Sequence, residues 1–224
     1  MNIIGHVYTD FNEKFGIPRQ SNLIPSLEGK IIFEKNYRQP EAFNGLEEFE
    51  YIWILFQFDK SMRDHFYATV KPPRLGGNKK KGVFATRSPF RPNSIGLSSV
   101  KLEKIEYTDE FGPVIYISGI DILNGSPIYD IKPYLPYADS HPDAKAGFTD
   151  DINISPLTIN DPDGLLNTIP TDKRDNIIKI ISEDPRPGYQ DDPQKIYKMA
   201  FSKWDIHFTI SNHEAYIKKV LLIN

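Results

Sequence analysis

The chain has 224 residues, 27 Lys and Arg against 30 Asp and Glu for a formal net charge of −3, 39% hydrophobic and 12% aromatic residues, and no cysteine. The missing cysteine excludes disulfide scaffolds, thiolate-held zinc or iron–sulfur sites and thiol nucleophiles. The longest apolar run, Tyr51 to Phe56 extended to Phe58 across Gln57, falls far short of the ~18–20 residues that span a bilayer, and the opening MNIIGHVYTDF has neither the basic nor the apolar region of a signal peptide, so a soluble cytoplasmic protein is expected.

Period-2 or continuous β-rich runs come first: Ile3–Tyr8, Lys30–Phe33, Tyr51–Phe58, Gly82–Thr86, Leu97–Tyr107 and Val114–Ile122, separated by Pro, Gly and Asn. Only Gly45–Phe49 offers a short helical alternative among them. This spacing predicts an antiparallel sheet or barrel rather than alternating βαβ units. In the third run, Tyr51, Trp53, Phe56 and Phe58 are expected to be buried. From Asp139 to Asp163 six Asp face one Lys among frequent Pro, Gly, Ser and Asn, the composition of an exposed linker. Beyond it Thr171 is placed to N-cap a helix to about Ser182, with Ile177, Ile178 and Ile181 on one face. Short strands at Lys195–Phe201, Trp204–Ile210 and Ala215–Ile223 complete the chain. The expected class is mainly β: a single-sheet barrel over 1–140, an acidic linker over 141–163 and a small α+β domain over 164–224.

Charge is uneven. Lys71 to Lys104 carries nine basic residues and only Glu103 as an acid, a local balance of +8 able to meet a polyanion. Several familiar sites are absent. The Gly76–Gly82 loop lacks the Lys-Ser/Thr pair that follows the last glycine of a phosphate loop, and no GxGxxG follows a strand. The five histidines form no i, i+4 pair, so no metal site is expected.

Three segments are dense in special residues. In Gly82–Leu97 (GVFATRSPFRPNSIGL) two prolines stiffen a turn that presents Arg87 and Arg91, a geometry suited to carboxylate or phosphate. A solvated Pro-rich surface turn has the same composition. Gly119–Tyr137 combines Asp121, the Asn124-Gly125 turn, Asp130, Lys132 and three tyrosines; its carboxylates and turn carbonyls suit a ribose or an adenine edge, and equally a structural turn. Asp184–Tyr189 (DPRPGY) reads by itself as a Pro-rich helix stop.

Taken together and in this order, Lys71–Gly77 (KPPRLGG), Gly82–Leu97, Asp130–Pro136 (DIKPYLP) and Asp184–Tyr189 resemble the family of SAM-dependent tRNA N6-methyltransferases called TrmO, or TsaA-like proteins. The resemblance implies a dimeric β-barrel enzyme that binds S-adenosyl-L-methionine without a Rossmann fold and methylates N6 of threonylcarbamoyl-adenosine beside the anticodon of tRNA. By position it implies cofactor contacts from Pro18, Arg19, Gln20, Asp59, Lys60, Arg87, Leu97, Asp121, Ile122, Leu123 and Asn124. Relatives are expected to have His-Gln where this chain has Asp59-Lys60, which leaves room for a backbone contact there but not for a histidine role. Asp121, Asp130, Arg186 and Tyr189 are candidates for the catalytic machinery, Arg186 and Tyr189 through a C-terminal loop that completes the site of the same or a partner subunit. Arg74, Lys79, Lys80, Lys81 and Arg91 are candidates to grip RNA phosphates. A related barrel methyltransferase acting on another RNA or a small molecule, and a non-catalytic RNA-binding module, remain the alternatives.

Overall fold

The computed structural model describes residues 1–62, 65–72, 79–150, 155–188 and 190–223. Six strands close into an antiparallel barrel in the order β1-β2-β7-β6-β3-β8. They are β1 (Gly5–Thr9), β2 (Glu28–Phe33), β3 (Tyr51–Gln57), β6 (Ile95–Thr108), β7 (Gly112–Ser118) and β8 (Pro127–Pro133). A separate ribbon pairs β4 (Thr69–Val70) with β5 (Lys81–Gly82). After a short helix α1 (Pro136–Asp139) the second sheet runs β10-β11-β12-β9, from β9 (Thr158–Asn160), β10 (Tyr197–Phe201), β11 (Trp204–Ser211) and β12 (Glu214–Leu222), with helix α2 (Thr171–Ser182) packed against it.

Alternation fills the barrel. On β3 the buried residues are Ile52, Ile54 and Phe56, while Tyr51, Trp53 and Leu55 take the other face and are half-buried. The expectation that the whole aromatic run is buried is therefore corrected: period-2 geometry sends neighbouring side chains to opposite faces. On β11 Trp204, Ile206, Phe208 and Ile210 are buried by the same rule.

Other expectations are corrected for local reasons. Gly82–Thr86 is not a strand. The chain leaves β5 at Gly82 and winds into a 3-10 turn, because the Thr86 hydroxyl and its amide both donate to the Val83 carbonyl, at 2.9 and 3.1 Å. Strand β7 stops at Ser118, since Gly119 takes φ of +72°, which the chain cannot continue as a strand. Helix α2 starts at Thr171 without a side-chain cap, Pro170 occupying the N-cap position. Its buried face is Asn176, Ile177, Ile180 and Ile181, with Ile178 only half-buried. Strand β8 went unread because a proline stands at each end of it and Asp130 and Lys132 interrupt its apolar pattern. Thr158–Asn160, inside the expected linker, pairs in parallel with β12.

One apolar cluster runs through both sheets. The long β1–β2 connection makes the junction. Phe11 meets Phe201 edge-on at 5.3 Å, and Phe15 stacks on Tyr197 and Phe208 at 6.0 and 6.4 Å. Gly16 has φ of +94° and lies against Met199 so closely that a Cβ would strike its sulfur. Polar ties reinforce the contact: Lys173 pairs with Asp10 at 2.6 Å, and buried Asn176 exchanges hydrogen bonds with Ser26, accepting at 2.6 Å and donating at 3.2 Å.

Candidate active site

A cleft of about 550 Å³ opens at the barrel end where β3 finishes and β6 begins. That is within the size range of small-molecule sites. Its walls are apolar and aromatic, with Trp53, Phe56, Phe58, Ile95, Leu97 and Leu123, and its polar groups include Lys14, Arg19, Arg87, Arg91 and Asp121. Gly96 explains itself here. It pairs with Phe56 across β3 and β6, and the Phe56 ring lies where any Cβ on residue 96 would have to sit.

Three loops that are far apart in sequence meet at Pro18-Arg19-Gln20. Gln20 accepts a hydrogen bond from the Arg87 guanidinium, which belongs to the Pro-stiffened turn. Arg19 donates to the backbone carbonyls of Asp184 and Arg186, at 3.1 and 2.8 Å, and so ties the C-terminal loop to the barrel of its own chain. A fourth loop is held by Lys14, whose ammonium donates to the Lys60 carbonyl and to the Ser61 hydroxyl. The 3-10 turn at Asp59–Ser61 that this anchors also carries an Asp59–Lys60 ion pair of 3.0 Å.

Asp121 is the carboxyl group set deepest in the cleft. The left-handed turn at Gly119, braced by the Asn22 amide donating to the Gly119 carbonyl at 2.9 Å, brings it there. Burial pushes its pKa up to about 6, against the lowering effect of a 2.6 Å hydrogen bond from Ser98 and of the nearby Arg87 charge. A carboxylate poised this close to neutrality can accept a proton from a reacting group.

Of the residues expected to hold a cofactor, Pro18, Arg19, Gln20, Asp59, Lys60, Arg87, Leu97, Asp121 and Leu123 line the cleft. Ile122 is instead buried in the core, and Asn124 accepts from the Thr9 amide at 3.1 Å and donates to Asn12, which makes it part of the turn. Asp130 is away from the cleft lining and pairs with Lys132 at 3.0 Å. Arg186 is occupied by a two-pronged contact with Asp184, both bonds 2.8 Å. Among the candidate RNA contacts, Lys79 and Lys80 are exposed, Lys81 lies 5.5 Å over the Phe148 ring, and Arg91 donates to the carbonyls of Val83 and Thr86. Arg74 and Tyr189 lie outside the described residues, as does the Gly76-Gly77 pair.

Sequence reasoning missed Lys14, Trp53, Phe56 and Ser98. Trp53 donates its indole N–H to Asp139 at 2.9 Å, a bond across 86 residues that no local pattern could announce. Ser98 was detectable in principle as a lone small polar residue at an inward position of an alternating strand. Among the described residues no group of three His, Asp or Glu side chains could hold a metal ion, and no helix is long and apolar enough to cross a membrane.

Comparison with known proteins matches the tRNA-methyltransferase O N-terminal domain over residues 6–140 and the TrmO C-terminal domain over residues 165–223. The chain is 45% identical over 176 residues to a protein of Eikenella corrodens named tRNA (adenine(37)-N6)-methyltransferase, covering 78% of this chain and 98% of that one. A protein of the same name from Escherichia coli is 35% identical over 217 residues, covering 93% and 92%. The crystal structure of TrmO from Pseudomonas aeruginosa superposes with a TM-score of 0.75 at 31% identity, over 98% of this chain and 97% of that one.

Proposed function

The chain belongs to the tRNA-methyltransferase O family, and on that premise we propose that it transfers a methyl group from S-adenosyl-L-methionine to N6 of adenine 37 in tRNA, the adenine carrying a threonylcarbamoyl group. The observation that carries this reading is the cleft, where aromatic walls, Arg87 and Asp121 converge at one barrel end.

The donor set fits such a cofactor. Trp53, Phe56, Phe58 and Leu97 give apolar surface for an adenine and a methionyl chain, Arg87 offers a cation for a carboxylate, and the site needs no glycine-rich phosphate loop. S-adenosyl-L-methionine supplies an electrophilic methyl group on a sulfonium that leaves as a neutral thioether. The protein's own work is then positioning and exclusion of water. Gln20 fixes Arg87, Arg19 fixes the C-terminal loop, and Asp121 takes the proton that N6 loses on methylation.

Electrostatics supports the acidic substituent. Lys14, Arg19, Lys60, Arg87 and Arg91 line the cleft against Asp59 and Asp121. Five cations against two carboxylates leave a surplus of positive charge along the cleft lining. That surplus suits the carboxylate of a threonylcarbamoyl group. The reading includes a cytoplasmic homodimer as the working species. The test is incubation of the full chain with methyl-labelled S-adenosyl-L-methionine and tRNA, with and without threonylcarbamoylation, followed by nucleoside mass spectrometry and sedimentation. Label on N6 of adenine 37 only in the threonylcarbamoylated tRNA is the expected result; label elsewhere refutes the assignment, and equal label on unmodified tRNA refutes the acidic substituent.

A further inference from the structure

Phe84 and Phe66 are the only phenylalanines exposed among the described residues, at 73% and 55%. Burial of aromatic surface is among the larger driving forces available to a chain, so a pair of phenylalanines left in water asks for an occupant. They are not scattered. Their rings stack on each other at 6.3 Å with planes 27° apart, because Phe66 precedes β4 and Phe84 follows β5 and the antiparallel register brings both to one end of the ribbon. The platform is also rigid on one side. Arg91, pinned by bonds of 3.3 and 2.7 Å to the carbonyls of Val83 and Thr86, holds its guanidinium 5.8 Å from the Phe84 ring.

The placement relative to the cleft is specific. Phe84 sits two residues before Thr86, hence at most ~7 Å of chain from it, and Thr86, Arg87 and Arg91 all line the cleft. Exposed Lys79 and Lys80 lie on the same segment, within the stretch of local charge +8. Stacked aromatic rings with a guanidinium against one of them and exposed lysines on the same segment, one nucleotide's reach from a site that must receive a base, have the character of a single-strand stacking surface. A second copy of this chain is the poorer occupant: a two-fold interface would set the same cationic patch against itself.

We propose that the Phe84–Phe66 pair stacks an unpaired RNA base next to the adenine that enters the cleft, replacing the stacking the anticodon loop loses when that adenine is extruded. This rests on the tRNA reading above. It adds a contact that is sequence-tolerant, because every base has a π-face, and largely insensitive to salt, unlike the phosphate contacts of the lysines.

The test uses an anticodon stem-loop RNA carrying 2-aminopurine on either side of adenine 37, bound to the full-length protein. The wild type is expected to quench the probe at one of the two positions. Phe84→Ala is expected to weaken RNA binding about tenfold and abolish the quenching, Phe66→Ala to weaken it less, and Phe84→Trp to restore both. Affinity for S-adenosyl-L-methionine, melting temperature and sedimentation should not change. Binding by Phe84→Ala within twofold of wild type, with quenching intact, overturns the proposal while leaving the tRNA reading in place. A shift of Phe84→Ala to a smaller species in sedimentation also overturns it, by assigning the face to a subunit contact. Failure of the wild type both to bind the stem-loop and to methylate tRNA overturns the two readings together.

Discussion

Replacing Asp121 by Asn should stabilise the fold while damaging the chemistry. In the unfolded chain this carboxyl group titrates near 3.8, whereas in the cleft burial raises it to about 6. Between those values the folded protein binds a proton that the unfolded chain does not, so stability due to this group is highest below pH ~4 and is lost as pH rises through about 6. A gap of about two units at ~1.4 kcal/mol each makes the ionised carboxylate cost ~3 kcal/mol at neutral pH. Asn keeps an oxygen to accept the Ser98 hydroxyl bond of 2.6 Å but never ionises. The stability of Asp121→Asn minus that of wild type should therefore climb by ~3 kcal/mol between pH 4 and pH 7 and stay flat above, worth about 6–12 °C in melting temperature for a chain of this size. Urea titrations of the two proteins without cofactor, at matched pH values, measure that difference. Methyl transfer by the wild type should fall as pH drops through about 6, because the protonated acid accepts nothing, and the Asn variant should lack that limb at a much lower rate. A stability difference independent of pH, or a variant less stable than wild type at pH 7.5, would refute both the burial of the charge and its role.

Arg87→Ala should weaken binding of S-adenosyl-L-methionine by more than tenfold in calorimetry, with the melting temperature changed by less than about 2 °C, because Arg87 is exposed and bonded only to the side chain of Gln20 among the described contacts. Gly96→Ala should cost ~1–3 kcal/mol in denaturant titration through collision with the Phe56 ring, and should reduce cofactor affinity along with stability, since that ring lines the cleft. Replacing exposed Lys79 and Lys80 together by Ala should lower tRNA affinity and reduce the slope of log affinity against log salt by up to ~2, leaving cofactor affinity unchanged. An unaltered slope would make them a solvated turn.

Most strands of both sheets were legible from the sequence because β-rich runs are a local property, as in YIWILFQ on β3 and WDIHFTIS on β11, although the unbroken aromatic and aliphatic run of β3 hid which of its residues face the core. The three motif segments were legible too, as clusters of Pro, Gly, Arg and Asp that regular structure does not need. What could not be read was which of those residues turn towards one another. Ile122 and Asn124 flank Asp121 and Leu123 in sequence, yet one fills the core and the other braces a turn, because the left-handed step at Gly119 sets which side chains face the cleft. Arg19 had no local signal for its partners, which lie 165 and 167 residues away. The raised pKa of Asp121 likewise exists only once barrel and loops have closed around it and removed water. Composition and period act over a few residues and fix the strands; the cleft is made by contacts across the whole chain, whose loop-closure entropy is repaid only when both sheets pack on the Phe11–Phe15 segment.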